Sequence, residues 1–217
     1  MKKSNNILLI ISLFVIISIF NSCKPKPESE PEQEQEQEPQ GYINGYGWVD
    51  LGLPSGLKWA TCNVGASSPE DYGNYYAWGE TITKPTYKPG NSTTWGEEMS
   101  DISGNAQYDA ARANWGSSWR LPTKEELEEL DNNCTYQLTN QGGKNGYKVT
   151  GPNGNYIFLP TAGSESYPGT RCAYWSSTPE INYYNLDAYS LDIYQGNGSV
   201  NWYVARYHGL SIRPVSD

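Results

Sequence analysis

The chain holds a single histidine, His208, and four cysteines. One of these, Cys23, lies in the N-terminal segment taken up below. The other three, Cys62, Cys134 and Cys172, are an odd set and allow at most one disulfide. Sequence alone does not fix the pairing; the expectation is Cys62 with Cys134. Three thiols and one imidazole match no familiar zinc spacing, so no metal is expected. No Ser-His-Asp order, histidine-rich metal motif or phosphate-binding loop occurs. His208 has no cysteine or carboxylate near it in sequence, and a general base needs an orienting partner. Glu97, Glu98 and Asp101 form an acidic run, for which a solvated loop is the simpler account. No catalytic residue and no cofactor are therefore expected. Positive charge is also scarce. The net charge is −9, of which −7 falls on residues 41–217, which does not suit nucleic acid or anionic lipid as a partner. Phenylalanine is nearly missing from the same region, where Phe158 stands alone, whereas all 18 tyrosines and all 8 tryptophans lie there. No internal repeat is visible.

Long apolar runs are limited to one. Ile7 to Phe20 is apolar apart from two serines and follows Lys2 and Lys3. Its 14 residues fall short of the roughly 20 that a spanning helix needs, so the segment reads as a signal-peptide core. Phe20-Asn21-Ser22-Cys23 resembles the lipobox of bacterial lipoprotein signals, with its first two places replaced; an ordinary cleaved signal with an incidental cysteine is the alternative. The expected division is a signal over 1–22, a stalk over 23–40 lipidated on Cys23, and one domain over 41–217. The stalk carries six glutamates, four prolines and no apolar side chain. Such a segment cannot bury enough surface to order itself and is expected to be extended. More than one acyl chain would anchor it stably.

The remaining 177 residues suffice for one domain with a real core. Ala106–Trp115 is rich in alanine and ends at Gly116, which predicts a short helix. A second helix is predicted over Thr123–Asp131, where Thr123 caps, Glu126 completes a capping box, and Leu127 and Leu130 share a face. Strand signals dominate elsewhere. Tyr147–Thr150 and Tyr156–Leu159 flank a Gly151-Pro152-Asn153-Gly154 turn. Ala188–Tyr194 alternates, with Tyr189 in phase with Leu191 and Ile193 and so assigned to the core. A turn at 195–198 leads into Val200–Val204, and Leu210–Val215 is a last strand. Early helices and late hairpins indicate an α+β fold.

Three blocks then stand in a specific order. Val49-Asp50-Leu51-Gly52-Leu53-Pro54-Ser55-Gly56-Leu57-Lys58-Trp59-Ala60 runs into Cys62–Ala66 and Tyr76–Glu80. Trp115-Gly116 leads through Trp119-Arg120-Leu121-Pro122-Thr123. Tyr174-Trp175-Ser176-Ser177-Thr178 precedes Gly209–Val215. Together they resemble the Fibrobacter succinogenes major paralogous domain, common in lipoproteins of Bacteroidetes-type bacteria, over residues 46–215. The resemblance implies a C-type lectin-like fold with two short helices and a mostly antiparallel, hairpin-rich sheet. It extends to formylglycine-generating enzymes and to the variable proteins of diversity-generating retroelements. In the latter, the diversified positions precede a terminal Arg-Pro-Val. Here that window is Glu180–Leu210, and its residue types fit adenine-directed mutagenesis.

The window also has a physical signature of its own. Rigid aromatic anchors beside adaptable polar groups are what a binding surface uses. The expected ligand-binding residues are Asn182, Tyr183, Tyr184, Asn185, Asp187, Tyr194, Asn201, Tyr203, Ala205, Tyr207 and His208, while Trp175 and Trp202 are expected to be framework. The functional expectation is a lipoprotein of the outer membrane, displayed at the cell surface or on the periplasmic face, that binds a protein or glycan. An enzyme built on Cys172 and a purely structural or adhesive protein are the alternatives. The Glu-Pro-Asn, Gln-Pro-Asp and Trp-Asn-Asp motifs of calcium-dependent sugar binding are absent from the domain.

Overall fold

The computed structural model describes residues 37–182 and 184–217, with backbone alone for Asn201 and Trp202. The signal segment, Cys23, the stalk up to residue 36, and Tyr183 lie outside the described residues, as do the side chains of Asn201 and Trp202. Among the described residues, no helix is long and apolar enough to cross a membrane. The folded unit already includes the last residues assigned to the stalk. Gln40 N–H donates to Trp48 O at 2.8 Å, and its side-chain oxygen accepts from Asp50 N–H at 2.7 Å.

Among the described residues, ten strands and two α-helices form an α+β arrangement, with both helices falling between the third and fourth strands. Strands β1 (Gly41–Ile43), β2 (Tyr46–Asp50) and β3 (Lys58–Ala60) join β10 (Val215–Ser216) in the order β1-β2-β3-β10. Helices α1 (Ala110–Trp115) and α2 (Lys124–Asn133) follow β3. Then come two antiparallel meanders: β4 (Thr135–Gln141), β5 (Lys144–Thr150) and β6 (Tyr156–Pro160), and β7 (Cys172–Pro179), β8 (Asp187–Tyr194) and β9 (Asn197–Ala205).

The second helix forms where its cap predicts. Thr123 Oγ1 accepts from Glu126 N–H at 3.2 Å, and Glu126 Oε2 accepts from Thr123 N–H at 2.8 Å. Arg120 holds both carboxylate oxygens of Glu126, at 2.7 and 2.8 Å, and reaches Asp217 at 2.8 Å. The first helix is shorter than expected because Asp109 is spent as its cap. One carboxylate oxygen accepts from Arg112 N–H at 3.0 Å, and the other accepts from Gly104 and Leu121 N–H at 2.7 and 2.9 Å. Burial raises the Asp109 pKa, and these N–H donors oppose the shift.

The β8–β9 hairpin closes through Gln195 and Gly196, both at positive φ (52° and 80°), with Tyr194 paired to Asn197. Two successive left-handed residues twist the chain as a two-residue hairpin requires. The β5–β6 hairpin is as expected, but β5 starts at Lys144 and is preceded by β4, a strand the pattern does not announce.

Two further expectations are corrected. Tyr189 is half-exposed, with Lys124 Nζ 4.3 Å from its ring centroid. A bulge between Ser190 and Asp192 breaks the period-two alternation that assigned it to the core. The segment from Leu210 to Val215 is buried and extended, yet no ladder runs along it, because each residue bonds a different neighbour. Leu210 pairs with Tyr76, Ser211 O accepts from Trp175 N–H, Ile212 O from Val64 N–H, Pro214 O from Ala60 N–H, and Val215 pairs with Arg120.

Two apolar clusters fill the interior, one around Trp59, Leu127, Leu130, Val149 and Leu191, the other around Trp78, Trp115, Trp119, Trp175 and Ile212. Tryptophan is thus mainly framework. The indoles of Trp78, Trp119 and Trp175 each donate to a backbone carbonyl, at 2.9, 2.9 and 2.8 Å, as a buried N–H requires. Arg213 is buried between the clusters. Its guanidinium donates to Asn63 Oδ1 at 2.9 Å and to the carbonyls of Ala60, Thr61 and Phe158 at 3.1, 2.9 and 2.9 Å.

The expected Cys62–Cys134 disulfide is not formed, and all three thiols are free. Cys62 follows β3 and lines a groove with Tyr46 and Trp115, whereas Cys134 caps α2 and packs against the other cluster. Cys172 is fully buried, and its thiol donates to the carbonyls of Leu159 and Pro160.

Candidate functional site

The β8–β9 register divides the expected binding residues into two groups. Asp187 pairs with Ala205 at one end of the hairpin, and Tyr194 pairs with Asn197 at the other. Seven residue steps separate them, about 24 Å of strand. Tyr194 therefore does not share a site with the rest.

At the Asp187 end the connection 180–186 is tied to the segment 205–209. Glu180 N–H donates to Asp187 O at 3.0 Å, and Arg206 N–H donates to Leu186 O at 2.9 Å. Tyr184 and Asn185 both sit at left-handed φ, 54° and 59°. Adjacent non-glycine residues in that region cost free energy and persist only where neighbours over-determine them. Here Gly96 N–H holds Asn185 O at 3.0 Å. On this braced backbone Tyr184 stands 85 % exposed. Tyr203, two residues along β9 from Ala205, is 44 % exposed.

Not every expected residue offers its side chain. Asn182 donates its amide to Glu180 Oε1 at 2.6 Å and its backbone N–H to both Glu180 oxygens at 3.0 Å. Ala205 contributes a carbonyl, which accepts from His208 N–H at 2.9 Å. Asp187 is half-buried; burial and then the Glu180 charge raise its pKa.

Three residues that the sequence does not point to complete this end. Trp95 meets Tyr207 edge-on, ring centroids 5.8 Å apart, and the Tyr207 and His208 rings lie 4.4 Å apart. Glu165 supplies the carboxylate partner that His208 lacks in sequence: Nδ1 and Oε1 are 3.3 Å apart. Burial alone would raise the Glu165 pKa, but hydrogen bonds from His208, Gly209 N–H and Ser166 hold it below the usual value. Arg206 is buried beneath. Its guanidinium stacks 4.4 Å from the Trp78 ring and donates to Asp187 O, Thr94 O and Glu97 O. Burial lowers its pKa to about 10, with Asp187 and Glu180 opposing. A groove of about 590 Å³ opens beside Glu165, walled by Tyr75, Tyr87, Lys84 and Lys88.

The Cys172 thiol is inaccessible and burial pushes its pKa up, the reverse of what a reactive thiol needs. Asp101 braces Ser177, Thr178 and Ser103 N–H, at 3.0, 2.7 and 2.9 Å. Glu97 and Glu98 are exposed. Among the described residues, no group of three or more His, Cys, Asp or Glu side chains is arranged to hold a metal ion.

The geometry defines a class: a small α+β domain with aromatic and polar residues gathered at one end of its last hairpin. The chain belongs to the Lcl C-terminal domain family, whose model matches residues 52–216, and that family is related to the Fibrobacter paralogous domains. No curated protein and no solved structure matches the chain.

Proposed function

We propose that this chain is a lipoprotein, anchored through Cys23 to the outer membrane and displayed at the cell surface, that binds a protein or glycan through the patch formed by Tyr184, Asn185, Tyr203, Tyr207 and His208. The domain is a binding module and not an enzyme, and it needs no cofactor. The observation that carries the reading is Tyr184, almost fully exposed on a backbone at left-handed φ, whose neighbour Asn185 is bonded by Gly96, next in sequence to Trp95 of the Trp95–Tyr207–His208 cluster. An exposed tyrosine has only two side-chain torsions to lose on contact, which is the property binding surfaces select. Tyr194 is excluded from the patch. The lectin-like resemblance adds that residues 180–210 form a window open to diversification by a retroelement.

The test is to display the chain and its Tyr184→Ala/Tyr207→Ala variant on beads and probe both with glycan arrays and extracts of surface proteins. Central tyrosines in an interface cost about 2 kcal/mol or more on truncation, about 30-fold each in affinity. Equal binding of both forms to every ligand found would place the site elsewhere. Deep sequencing of codons 180–210 across a population tests diversification separately: substitutions confined to adenine-bearing positions support it, and a uniform window rejects it.

A further inference from the structure

Strand β4 is the outer strand of its sheet, in the order β4-β5-β6. It pairs with β5 over seven consecutive residues, Thr135↔Thr150 to Gln141↔Lys144, without a bulge. Among the described residues, no backbone N–H or C=O of Thr135–Gln141 bonds anything except β5. The far side of the same sheet is closed. The carbonyls of Phe158, Leu159 and Pro160 on β6 accept from Arg213, Cys172 and Tyr174.

Proteins blunt exposed edges with lysine, proline, bulges or brevity. β4 has none of these. Its sequence, Thr-Tyr-Gln-Leu-Thr-Asn-Gln, carries no charge and no proline, in a chain of net charge −9. At its centre stands Leu138, 65 % exposed, one of the few exposed large apolar residues of the fold. The detached hairpin tip lies at the same sheet. Gly196 N–H donates to Tyr147 Oη at 3.2 Å, and Tyr147 is the register partner of Leu138. Tyr194, 65 % exposed, borders that tip.

The structure assigns to β4 a docking role, and we propose that its occupant is β4 of a second copy of this chain, paired antiparallel about a two-fold axis at Leu138. The strand is self-complementary in that register. Leu138 meets Leu138, Gln137 meets Thr139, Tyr136 meets Asn140, and Thr135 meets Gln141. No like charges face each other, and every polar pair can hydrogen-bond across the strands. An acidic or basic partner segment would find no complementary charge on this edge. The pairing would satisfy about six to eight outward backbone groups and bury an isologous patch with Leu138 at its centre. A strand pair of this length falls below the roughly 1,200 Å² at the lower end of standard-size interfaces. Association is therefore weak in dilute solution and is favoured where copies are confined. It is independent of the binding patch proposed above.

Cysteine cross-linking of the full-length chain in isolated membranes tests both partner and register. Residues directly opposite in an antiparallel pair have Cα atoms about 4.5–5.5 Å apart, within the disulfide range. The Leu138→Cys chain is expected to give a reducible dimer of twice the chain mass under mild oxidation, and the parent chain is not. A mixture of Gln137→Cys and Thr139→Cys chains should cross-link several-fold more than either alone. Three outcomes overturn the proposal. One is absence of the Leu138→Cys dimer although the thiol reacts with maleimide and the protein melts like its parent. Another is equal yield at 137, 138 and 139, which marks random collision. The last is a reducible adduct of some other mass, which makes a different protein the occupant of the edge.

Discussion

Replacing Arg213 by methionine probes the framework most directly. The side chain is 2 % exposed and donates four hydrogen bonds to neutral acceptors: Asn63 Oδ1 and the carbonyls of Ala60, Thr61 and Phe158. No carboxylate pairs with it among the described residues, and burial lowers its pKa. Methionine keeps the length and the methylene packing but removes every donor. Each buried acceptor left dry costs about 1–3 kcal/mol. Removing a desolvated charge returns several kcal/mol. With four acceptors affected, the net loss is about 3–5 kcal/mol, a large share of the roughly 5–15 kcal/mol that stabilises a typical domain. At about 2–4 °C per kcal/mol for this size, the midpoint should fall by about 10 °C. Thermal melts followed by near-ultraviolet circular dichroism measure it, since the buried indoles report packing. A Met variant that melts within about 3 °C of the parent, or above it, would refute the claim that these four acceptors depend on Arg213.

Other outcomes follow from single interactions. Thr123→Ala removes the cap of α2 and should cost about 1 kcal/mol, seen as a drop of about 2–4 °C in melting midpoint; Thr123→Ser should restore it. Asp71, hydrogen-bonded by Lys144 first and by Ser68 and Ser67, has its pKa lowered from 3.8 to about 2. Its folded-state pKa is depressed, so its contribution is present above 3.8 and is lost as pH falls toward about 2. Lys144→Met should move the Asp71 carbon resonance titration up toward 3.8. The melting midpoint should barely change, because the pair is partly exposed and screened by solvent. In the native protein, alkylation followed by mass spectrometry should find Cys62 modified first. Cys134, pushed up to about 12 by burial and then by Asp131 and Glu129, should react slowly, and Cys172 only on unfolding.

Local signals in the sequence were sufficient where the physics is local. The capping box of α2 needs only Thr123 and Glu126, three residues apart, and both bonds are present. The I′ turn of the last hairpin rests on Gln195 and Gly196 alone. Features that depend on distant neighbours were not legible. β4 escapes because most of its residues are exposed on both faces, which erases the alternation that marks a half-buried strand. The Gly142–Gly143 pair that follows it, at φ 55° and 82°, was the available clue. Glu165 lies 43 residues from His208, and no spacing rule joins them. Trp95 stands alone in a polar loop until the fold brings Tyr207 to it. The tyrosine-rich window was legible as composition, but only strand register shows that Tyr194 is far from Asp187 and Ala205.

The final extended segment has a consequence for the order of events in folding. Between them, residues 210–215 contact Tyr76, Trp175, Val64, Ala60 and Arg120, drawn from every third of the domain. Until the end of the chain is available, Trp59 lacks one of its two strand partners, Val215, and the Asn63 side chain and the Phe158 carbonyl lack Arg213. A nascent chain still missing these residues lacks Leu210 and Ile212 from one apolar cluster and Val215 from the other. Closure of the domain therefore waits for its last-synthesised part.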